Sequence, residues 1–114
     1  MSVITMMEFS PSSRKQFENL LSQGYVLLEF YANWCGTCRS VTRMLKHLET
    51  KKCLEIIRVD IDTAKDLSSQ FEVLGVPLLV LMYKNEEVMR IGGSLNFEEF
   101  KLWIHSVDEF KELS

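Results

Sequence analysis

Apolar residues recur along the chain with two periods, one typical of strands and one typical of helices. The stretch Tyr25–Tyr31 is apolar at almost every position, which is typical of a strand buried on both faces of a sheet. Leu54–Ile61 alternates apolar with charged residues and predicts another strand. Three further stretches repeat apolar residues every three or four positions and predict amphipathic helices. Their apolar faces contain Phe17, Leu20 and Leu21; Val41, Met44, Leu45 and Leu48; and Phe97, Phe100, Trp103, Ile104 and Val107.

Capping residues and glycines predict where the helices begin and end. Ser10–Ser13 supplies hydroxyls and a proline suited to the first turn of a helix, and that helix is expected to end near Gly24. Thr63–Asp66 resembles a capping sequence and predicts a short helix, while Asn96 is placed to cap the last one. Val3–Met6 predicts a short strand at the start of the chain.

The pattern changes after Gly75 and predicts a hairpin. Pro77 opens the apolar strand Leu78–Tyr83, Lys84–Glu87 is expected to turn, and Val88–Ile91 returns as a second strand. The predicted order is therefore βαβαβα followed by ββα. Alternating strands and helices imply parallel strands with right-handed crossovers, and the hairpin adds antiparallel strands, so the expected class is α/β.

Composition narrows the functions that this fold class can serve. A length of 114 residues with 46% hydrophobic residues suits a single domain spanning residues 1–114. A net charge of −3 argues against a phosphate-backbone binder, so we expect no nucleic-acid partner. The longest apolar run is Leu78–Tyr83, which is too short to cross a membrane, so we expect no membrane partner. The first residues show no secretory pattern, which predicts a cytoplasmic protein with free, metal-bound or redox-active thiols.

The motif that carries chemistry is Trp34–Cys38, which reads Trp-Cys-Gly-Thr-Cys and joins the buried strand to the second helix. A thiol at a helix N-terminus meets the positive end of the helix dipole, which favours the thiolate, so Cys35 is the expected nucleophile. Residues three apart on a helix have Cβ atoms about 5–6 Å apart, so a small adjustment closes a disulfide with Cys38. Cys38 is then expected to resolve a mixed disulfide. The alternative is two unrelated cysteines in a helix.

Zinc binding is a competing use of the thiols. A nominal Cys₃His ligand set consists of Cys35, Cys38, His47 and Cys53. In a continuous helix, His47 lies nine residues beyond Cys38, about 13 Å away, whereas zinc ligands must meet at one centre. We therefore expect no metal site, a solvated His47 on the helix, and a semi-buried Cys53 that takes no part in redox chemistry.

Four segments resemble the thioredoxin family in order and spacing, and together they span nearly the whole chain. They are residues 28–38 (Leu-Glu-Phe-Tyr-Ala-Asn-Trp-Cys-Gly-Thr-Cys), 59–62 (Val-Asp-Ile-Asp), 75–77 (Gly-Val-Pro) and Gly92. The resemblance implies the thioredoxin fold, a mixed five-stranded sheet sandwiched by four helices. It also implies reduction or exchange of disulfides in partner proteins and a thioredoxin-reductase-like electron donor. We expect no cofactor and a monomeric protein.

The resemblance assigns roles around the motif. Cys35 resembles the attacking cysteine, Cys38 the resolving one, and Trp34 the tryptophan that flanks the disulfide, with a core aromatic as the alternative for Trp34. Glu29 occupies the position of the family's buried acid, which is normally Asp. A carboxylate within an apolar strand is costly to ionise, so its pKa is expected to be raised, and it could exchange a proton with Cys38. The alternative places Glu29 in solvent at a strand end.

Substrate contacts are assigned in the same way. Pro77 resembles the family's cis-proline, and the preceding Val76 resembles the residue that pairs with substrate backbone. A trans proline that begins a strand is the alternative from the residues alone. Gly92 resembles a glycine of the substrate-facing surface and also fits a residue that ends a strand. Gly36 and Thr37, between the cysteines, complete the predicted substrate-binding set.

One departure from the family pattern affects the expected function. Thr37 stands where the commonest family motif has proline, and the residues between the cysteines tune the relative stability of dithiol and disulfide. Three functions therefore remain open: a general disulfide reductase, an oxidoreductase dedicated to one partner or to a more oxidising exchange reaction, and a binding module whose cysteines are idle. The intact Cys35–Cys38 pair favours the first two.

Overall fold

The computed structural model describes residues 4–114. The strands are β1 (Ile4–Glu8), β2 (Tyr25–Tyr31), β3 (Leu54–Asp60), β4 (Leu78–Tyr83) and β5 (Glu86–Gly92). The helices are α1 (Arg14–Gln23), α2 (Gly36–Leu45), α3 (Lys65–Gln70) and α4 (Phe97–Ile104). Single 3₁₀ turns at Pro11–Ser13 and Asp108–Phe110 precede α1 and follow α4. Within residues 4–114 no helix is long and apolar enough to cross a membrane.

The strands form one mixed sheet in the order β1-β3-β2-β4-β5. β1, β3 and β2 run parallel, whereas β4 is antiparallel to β2 and β5 is antiparallel to β4. The register pairs Glu29 of β2 with Arg58 of β3 on one side and with Leu79 of β4 on the other. This arrangement confirms the predicted mixed five-stranded sheet with four helices.

The continuous apolarity of β2 follows from its central position, because helices cover both faces of the sheet. On one face the cluster with α1 and α3 comprises Val26, Leu28, Phe30, Phe17, Leu21 and Leu67. On the opposite face the cluster with α2 and α4 comprises Leu27, Val41, Leu45, Phe100 and Ile104. Successive side chains alternate between the faces of a strand, so Glu29 shares the α2 face with Leu27.

The hairpin turn is shorter than the sequence predicts. Only Lys84 and Asn85 separate the two strands, with φ angles of 46° and 72°, and β5 already begins at Glu86. Two consecutive residues with positive φ are typical of the tight turns whose twist matches that of a hairpin. The predicted four-residue turn is therefore wrong, because pairing within the sheet extends to residues that are polar in sequence.

Helix boundaries also differ in detail from the predictions. α3 begins only at Lys65, and Ala64 at its N-cap offers no side-chain hydrogen bond, so the predicted capping role of Thr63 is wrong. Asn96 does cap α4, accepting from the Glu99 N–H at 2.8 Å, but the helix ends before Val107. The predicted first strand is confirmed over its described part as β1; Val3 lies outside the described residues.

Candidate active site

Cys35 and Cys38 lie where β2 gives way to α2. Cys35 is the N-cap of α2 and Cys38 belongs to its first turn. Their sulfur atoms are joined in a disulfide, with the two Cα atoms 5.3 Å apart. Cys35 keeps 7% of its surface exposed and Cys38 only 1%. The predicted closure of this pair is confirmed, and Cys35 is the less buried of the two residues.

The first turn of α2 directs hydrogen-bond donors at the Cys35 sulfur. The backbone N–H of Cys38 donates to Cys35 Sγ at 3.2 Å, and Thr37 Oγ1 lies 3.4 Å from the same atom. Helix N-termini carry unpaired N–H groups and a partial positive charge, both of which favour a thiolate over a thiol. These donors therefore face the sulfur that would carry the negative charge of a Cys35 thiolate.

Trp34 stands beside the disulfide on the surface. Its side chain is 70% exposed, and its indole N–H donates to Asp62 Oδ2 at 3.0 Å. The alternative of a core aromatic is therefore wrong. Leu74 is completely exposed in the loop before Pro77. It places an apolar side chain on the surface two residues before Val76.

The loop before β4 has the cis geometry that the resemblance implies. The Val76–Pro77 peptide bond is cis and Pro77 is buried. Gly92 is the last residue of β5 and pairs with Leu78, while the Gly93 N–H donates to the Pro77 carbonyl at 2.9 Å. Gly93 has a φ of 89°, a conformation that favours glycine. A groove of about 330 Å³ runs between these segments, lined by Glu72, Leu74, Gly75, Val76, Pro77, Leu78, Arg90, Gly92 and Gly93.

Glu29 is fully buried beneath α2, so the alternative of a solvent-facing carboxylate is wrong. Arg58 Nε donates to Glu29 Oε1 at 3.1 Å, and the Thr42 hydroxyl contacts Glu29 Oε2. Burial raises the pKa of the Glu29 carboxyl, and the hydrogen bonds from Thr42 and Arg58 oppose the rise without cancelling it. The direction of this shift agrees with the expectation from the sequence.

Arg58 connects the buried carboxyl to the surface. Its guanidinium pairs with Glu8 and lies 3.9 Å from the centre of the Tyr31 ring. The Tyr31 hydroxyl donates to Glu8 Oε2 at 2.8 Å, and burial together with that carboxylate raises the pKa of Tyr31. The Glu29 carboxyl thus belongs to a connected polar network that reaches solvent at the half-exposed Glu8.

The structure does not bring the four residues of the zinc alternative together at one centre. His47 is exposed two residues past the end of α2, where its Nδ1 lies 2.8 Å from the Arg43 carbonyl oxygen. Cys53 is a free, exposed thiol, so its predicted semi-buried state is wrong. Across the part of the chain that the structure describes, no three His, Cys, Asp or Glu side chains are grouped to hold a metal ion.

Sequence reasoning assigned no role to four residues that lie in or near this site: Thr42, Arg58, Asp62 and Leu74. Thr42 was detectable in principle, because a residue four positions after Cys38 lies on the same helix face. Arg58 meets Glu29 only through the register of two parallel strands, which the sequence does not state. The other two depend on how loops fold against the motif.

A cysteine pair at a helix N-terminus, beside a cis-proline loop on a mixed sheet, defines a class of proteins that exchange thiols and disulfides. The family model for thioredoxin matches residues 8–106. The chain belongs to the thioredoxin family, and it is a thiol–disulfide oxidoreductase.

Individual relatives agree with the family match. Thioredoxin from Chlamydia trachomatis serovar D is 34% identical over 82 residues, covering 71% of this chain and 80% of the relative. Thioredoxin from Listeria monocytogenes serovar 1/2a is 34% identical over 85 residues, covering 73% and 82%. A solved structure of a mutant thioredoxin from Halobacterium salinarum NRC-1 superimposes with a TM-score of 0.75 at 27% identity, covering 93% of each chain.

Proposed function

We propose that the protein works as a reductase of disulfides in partner proteins, with Cys35 as the attacking thiolate and Cys38 as the resolving thiol. The observation that carries this proposal is the position of Cys35 at the N-cap of α2, where the Cys38 N–H donates to its sulfur. Cys35 is also the more exposed of the two sulfur-bearing residues. The nucleophile that solvent reaches is thus the one that the helix terminus activates.

The reaction consists of two exchange steps. The Cys35 thiolate attacks one sulfur of the substrate disulfide, a mixed disulfide forms, and the other substrate sulfur leaves as a thiolate that takes up a proton. Cys38 then loses its proton and attacks the Cys35 sulfur. The Cys35–Cys38 disulfide forms, the second substrate thiol is released, and two electrons have passed to the substrate.

Glu29 is the proposed acceptor of the Cys38 proton. It is fully buried on the α2 face of β2, and its carboxyl touches Thr42, which also lies 3.0 Å from the Cys38 carbonyl oxygen. A raised pKa suits this role, because a general base transfers protons best when its pKa approaches the working pH.

Substrate is proposed to lie across the surface between Trp34 and the cis-proline loop. An extended chain there would meet backbone groups at Val76 and Gly92, with Gly36 and Thr37 beside the reacting sulfur. The groove of about 330 Å³ next to Pro77 and the exposed Trp34 and Leu74 give apolar contact area to a partner that is itself locally unfolded or flexible.

The proposed direction of electron flow requires an electron donor. A reductase must be reduced again after each turnover, so we propose a thioredoxin-reductase-like enzyme as the electron donor. A single domain over residues 1–114, a monomeric state and a cytoplasmic location remain our predictions.

Insulin reduction tests the proposal directly. The wild-type protein should accelerate precipitation of the insulin B chain by dithiothreitol, whereas Cys35→Ser should leave it at the rate of dithiothreitol alone. Cys53→Ser is the matched control, since Cys53 is exposed and unpaired, and it should react as fast as wild type. Equal rates in wild type and Cys35→Ser would show that the cysteine pair is idle, as expected of a binding module.

A second candidate function is a more oxidising exchange reaction. It is favoured by Thr37, whose hydroxyl lies 3.4 Å from the Cys35 sulfur and can donate to its thiolate. A stabilised thiolate favours the dithiol form and makes the protein a weaker reductant. Equilibration with glutathione buffers decides between the two, because a potential well above that of cytosolic glutathione would exclude the reductase.

A further inference from the structure

Thr42 joins the buried acid to the turn of helix that carries Cys38. It lies on α2, one turn beyond Cys38, and only 8% of its surface is exposed. Its hydroxyl oxygen contacts Glu29 Oε2 and lies 3.0 Å from the Cys38 carbonyl oxygen. A contact with the carbonyl four residues back is common for threonine in helices and by itself indicates nothing. The simultaneous contact with a buried carboxyl from another element is what distinguishes this residue.

The hydroxyl of Thr42 carries one proton and therefore donates to only one of these two acceptors at a time. When Glu29 is ionised its oxygens can only accept, so the hydroxyl donates to Glu29. When Glu29 is protonated, its O–H can donate to the Thr42 oxygen, and the threonine proton then turns to the Cys38 carbonyl. The two protonation states of Glu29 thus impose opposite directions on one buried hydroxyl.

We propose that Thr42 is a positioning residue that holds the Glu29 carboxyl against the helical turn of Cys38. Through its hydroxyl, Thr42 couples the protonation of Glu29 to the hydrogen bonding of the Cys38 carbonyl. The proposal rests on the proposed function for its catalytic consequence, namely that Glu29 takes the proton of Cys38. The coupling itself rests on contacts within the folded protein.

Other charged groups face Glu29, and they set the background for this coupling. From β3, Arg58 Nε donates to Glu29 Oε1 at 3.1 Å, and its Nη2 lies 3.4 Å from the Thr42 hydroxyl. From β1, Glu8 pairs with Arg58 and raises the pKa of Glu29 through space. From β4 the register partner is the apolar Leu79, and on α2 Cys38 is held in the disulfide. The Arg58 contacts with Glu29 and Glu8 do not involve the Thr42 hydroxyl, whereas the Nη2 contact is lost with it.

Removal of the hydroxyl has a predictable sign. The Thr42 hydrogen bond opposes the burial that raises the pKa of Glu29, so Thr42→Val should raise that pKa further. Less carboxylate is then present near neutral pH to accept the Cys38 proton. The resolving step should slow roughly threefold to tenfold near pH 7, the scale of one hydrogen bond, and its pH profile should move to higher pH.

The first test needs no variant and no turnover. In ¹³C-labelled wild-type protein, the carbonyl resonance of Cys38 should titrate with the same midpoint as the carboxyl resonance of Glu29. A Cys38 carbonyl that does not respond across the Glu29 titration overturns the proposal. Because this measurement uses no substrate, it decides the coupling even where the disulfide assay finds no reductase activity and the proposed function fails.

The second test compares Thr42→Val with Thr42→Ser. Valine keeps the shape without the hydroxyl, and serine keeps the hydroxyl. Thr50→Val is the matched control, because Thr50 is also buried but, among residues 4–114, its hydroxyl is bonded to the Lys52 N–H at 3.1 Å and not to a carboxyl. Valine at position 42 should raise the Glu29 pKa and slow release of a trapped mixed disulfide, serine should restore both, and the control should change neither. An unshifted Glu29 pKa in Thr42→Val, or a serine variant that fails to restore it, overturns the proposal.

Discussion

Both ends of the central strands hold cysteine and glutamate residues, but one end holds a disulfide and the other a free thiol. At the carboxyl end of β2, Cys35 and Cys38 form a disulfide above Glu29, whose two oxygens both have hydrogen-bond partners. At the amino end of β3, Cys53 is free and exposed beside Glu55. Within residues 4–114 the buried Oε2 of Glu55 has no hydrogen-bond partner. The residue types are the same, but their surroundings differ.

The difference shows what a reactive thiol requires beyond its sulfur. Cys35 begins a helix and receives an N–H from Cys38, whereas Cys53 precedes β3 and lines a groove with Gln23 and Gly24 at the C-terminal end of α1, where the helix dipole disfavours a thiolate. Burial raises the pKa of both carboxyls, but only Glu29 also receives donors that keep its ionised form accessible. The N-cap position of Cys35 and the hydrogen bonds to Glu29 therefore distinguish the end with the disulfide from the end that holds Cys53.

The largest expected effect comes from removing single sulfur atoms at the two ends. Cys35→Ser should lower the rate of insulin reduction by at least about 1000-fold, because the covalent route disappears with the nucleophile. Cys53→Ser should leave the rate unchanged. Turbidity of the insulin B chain measures both, and a Cys53 variant as slow as the Cys35 variant would remove the contrast between the two ends.

A second prediction concerns the two thiols within the redox pair. In reduced protein that carries Cys53→Ser, iodoacetamide near neutral pH should label Cys35 at least about tenfold faster than Cys38, because only the former sits at the helix N-cap and reaches solvent. Mass spectrometry of the digested product gives the ratio. Preferential labelling of Cys38 would reverse the assignment of attacking and resolving thiols.

The two glutamates provide the third prediction, which turns on pH. The folded-state pKa of Glu29 is raised above its ordinary value of 4.5, so its contribution to stability is full below about pH 4.5 and is lost as the pH rises through the raised pKa. Glu29→Gln removes that pH-dependent loss, so it should stabilise the protein more at pH 8 than at pH 5. It should also slow thiol–disulfide exchange.

Glu55→Gln is the control for that prediction. Burial raises the pKa of Glu55 too, but its side chain is only partly buried, so the substitution should change stability in the same direction and by less. The exchange rate should stay at the wild-type value. Urea unfolding at pH 5 and pH 8, together with the insulin assay, separates the two residues, and equal loss of activity in both variants would contradict the proton-transfer role of Glu29.

The smallest expected effect is on the reduction potential and concerns Thr37, which lies between the two cysteines. Thr37→Pro removes the hydroxyl that lies 3.4 Å from the Cys35 sulfur and one backbone N–H at the helix start. With less stabilisation of the thiolate, the potential should fall and insulin reduction should become faster. Each shift of about 30 mV corresponds to about 1.4 kcal/mol for this two-electron couple. Equilibration with glutathione gives the potential, and a value that rises or stays the same would contradict the argument.

Much of the fold was predictable because it follows from local patterns. The apolar run of β2, the alternation in β3 and the apolar spacing in α2 each reflect burial that a residue and its near neighbours decide. The errors fell at boundaries. The turn at Lys84 and Asn85 and the start of α3 at Lys65 were displaced, since sheet pairing and packing outweigh the propensity of a few polar residues.

The sequence by itself determined the chemistry of the motif: two thiols three residues apart at the start of a helix, next to a strand too apolar to lie anywhere but inside a sheet. Only the tertiary structure decided how that chemistry is supported. Glu29 meets Arg58 through the register of β2 and β3, and it meets Thr42 because α2 packs on the same sheet face. Strand register and helix packing bring together residues that are far apart in sequence. The energies of those contacts depend on both surfaces that meet, so neither segment determines them alone.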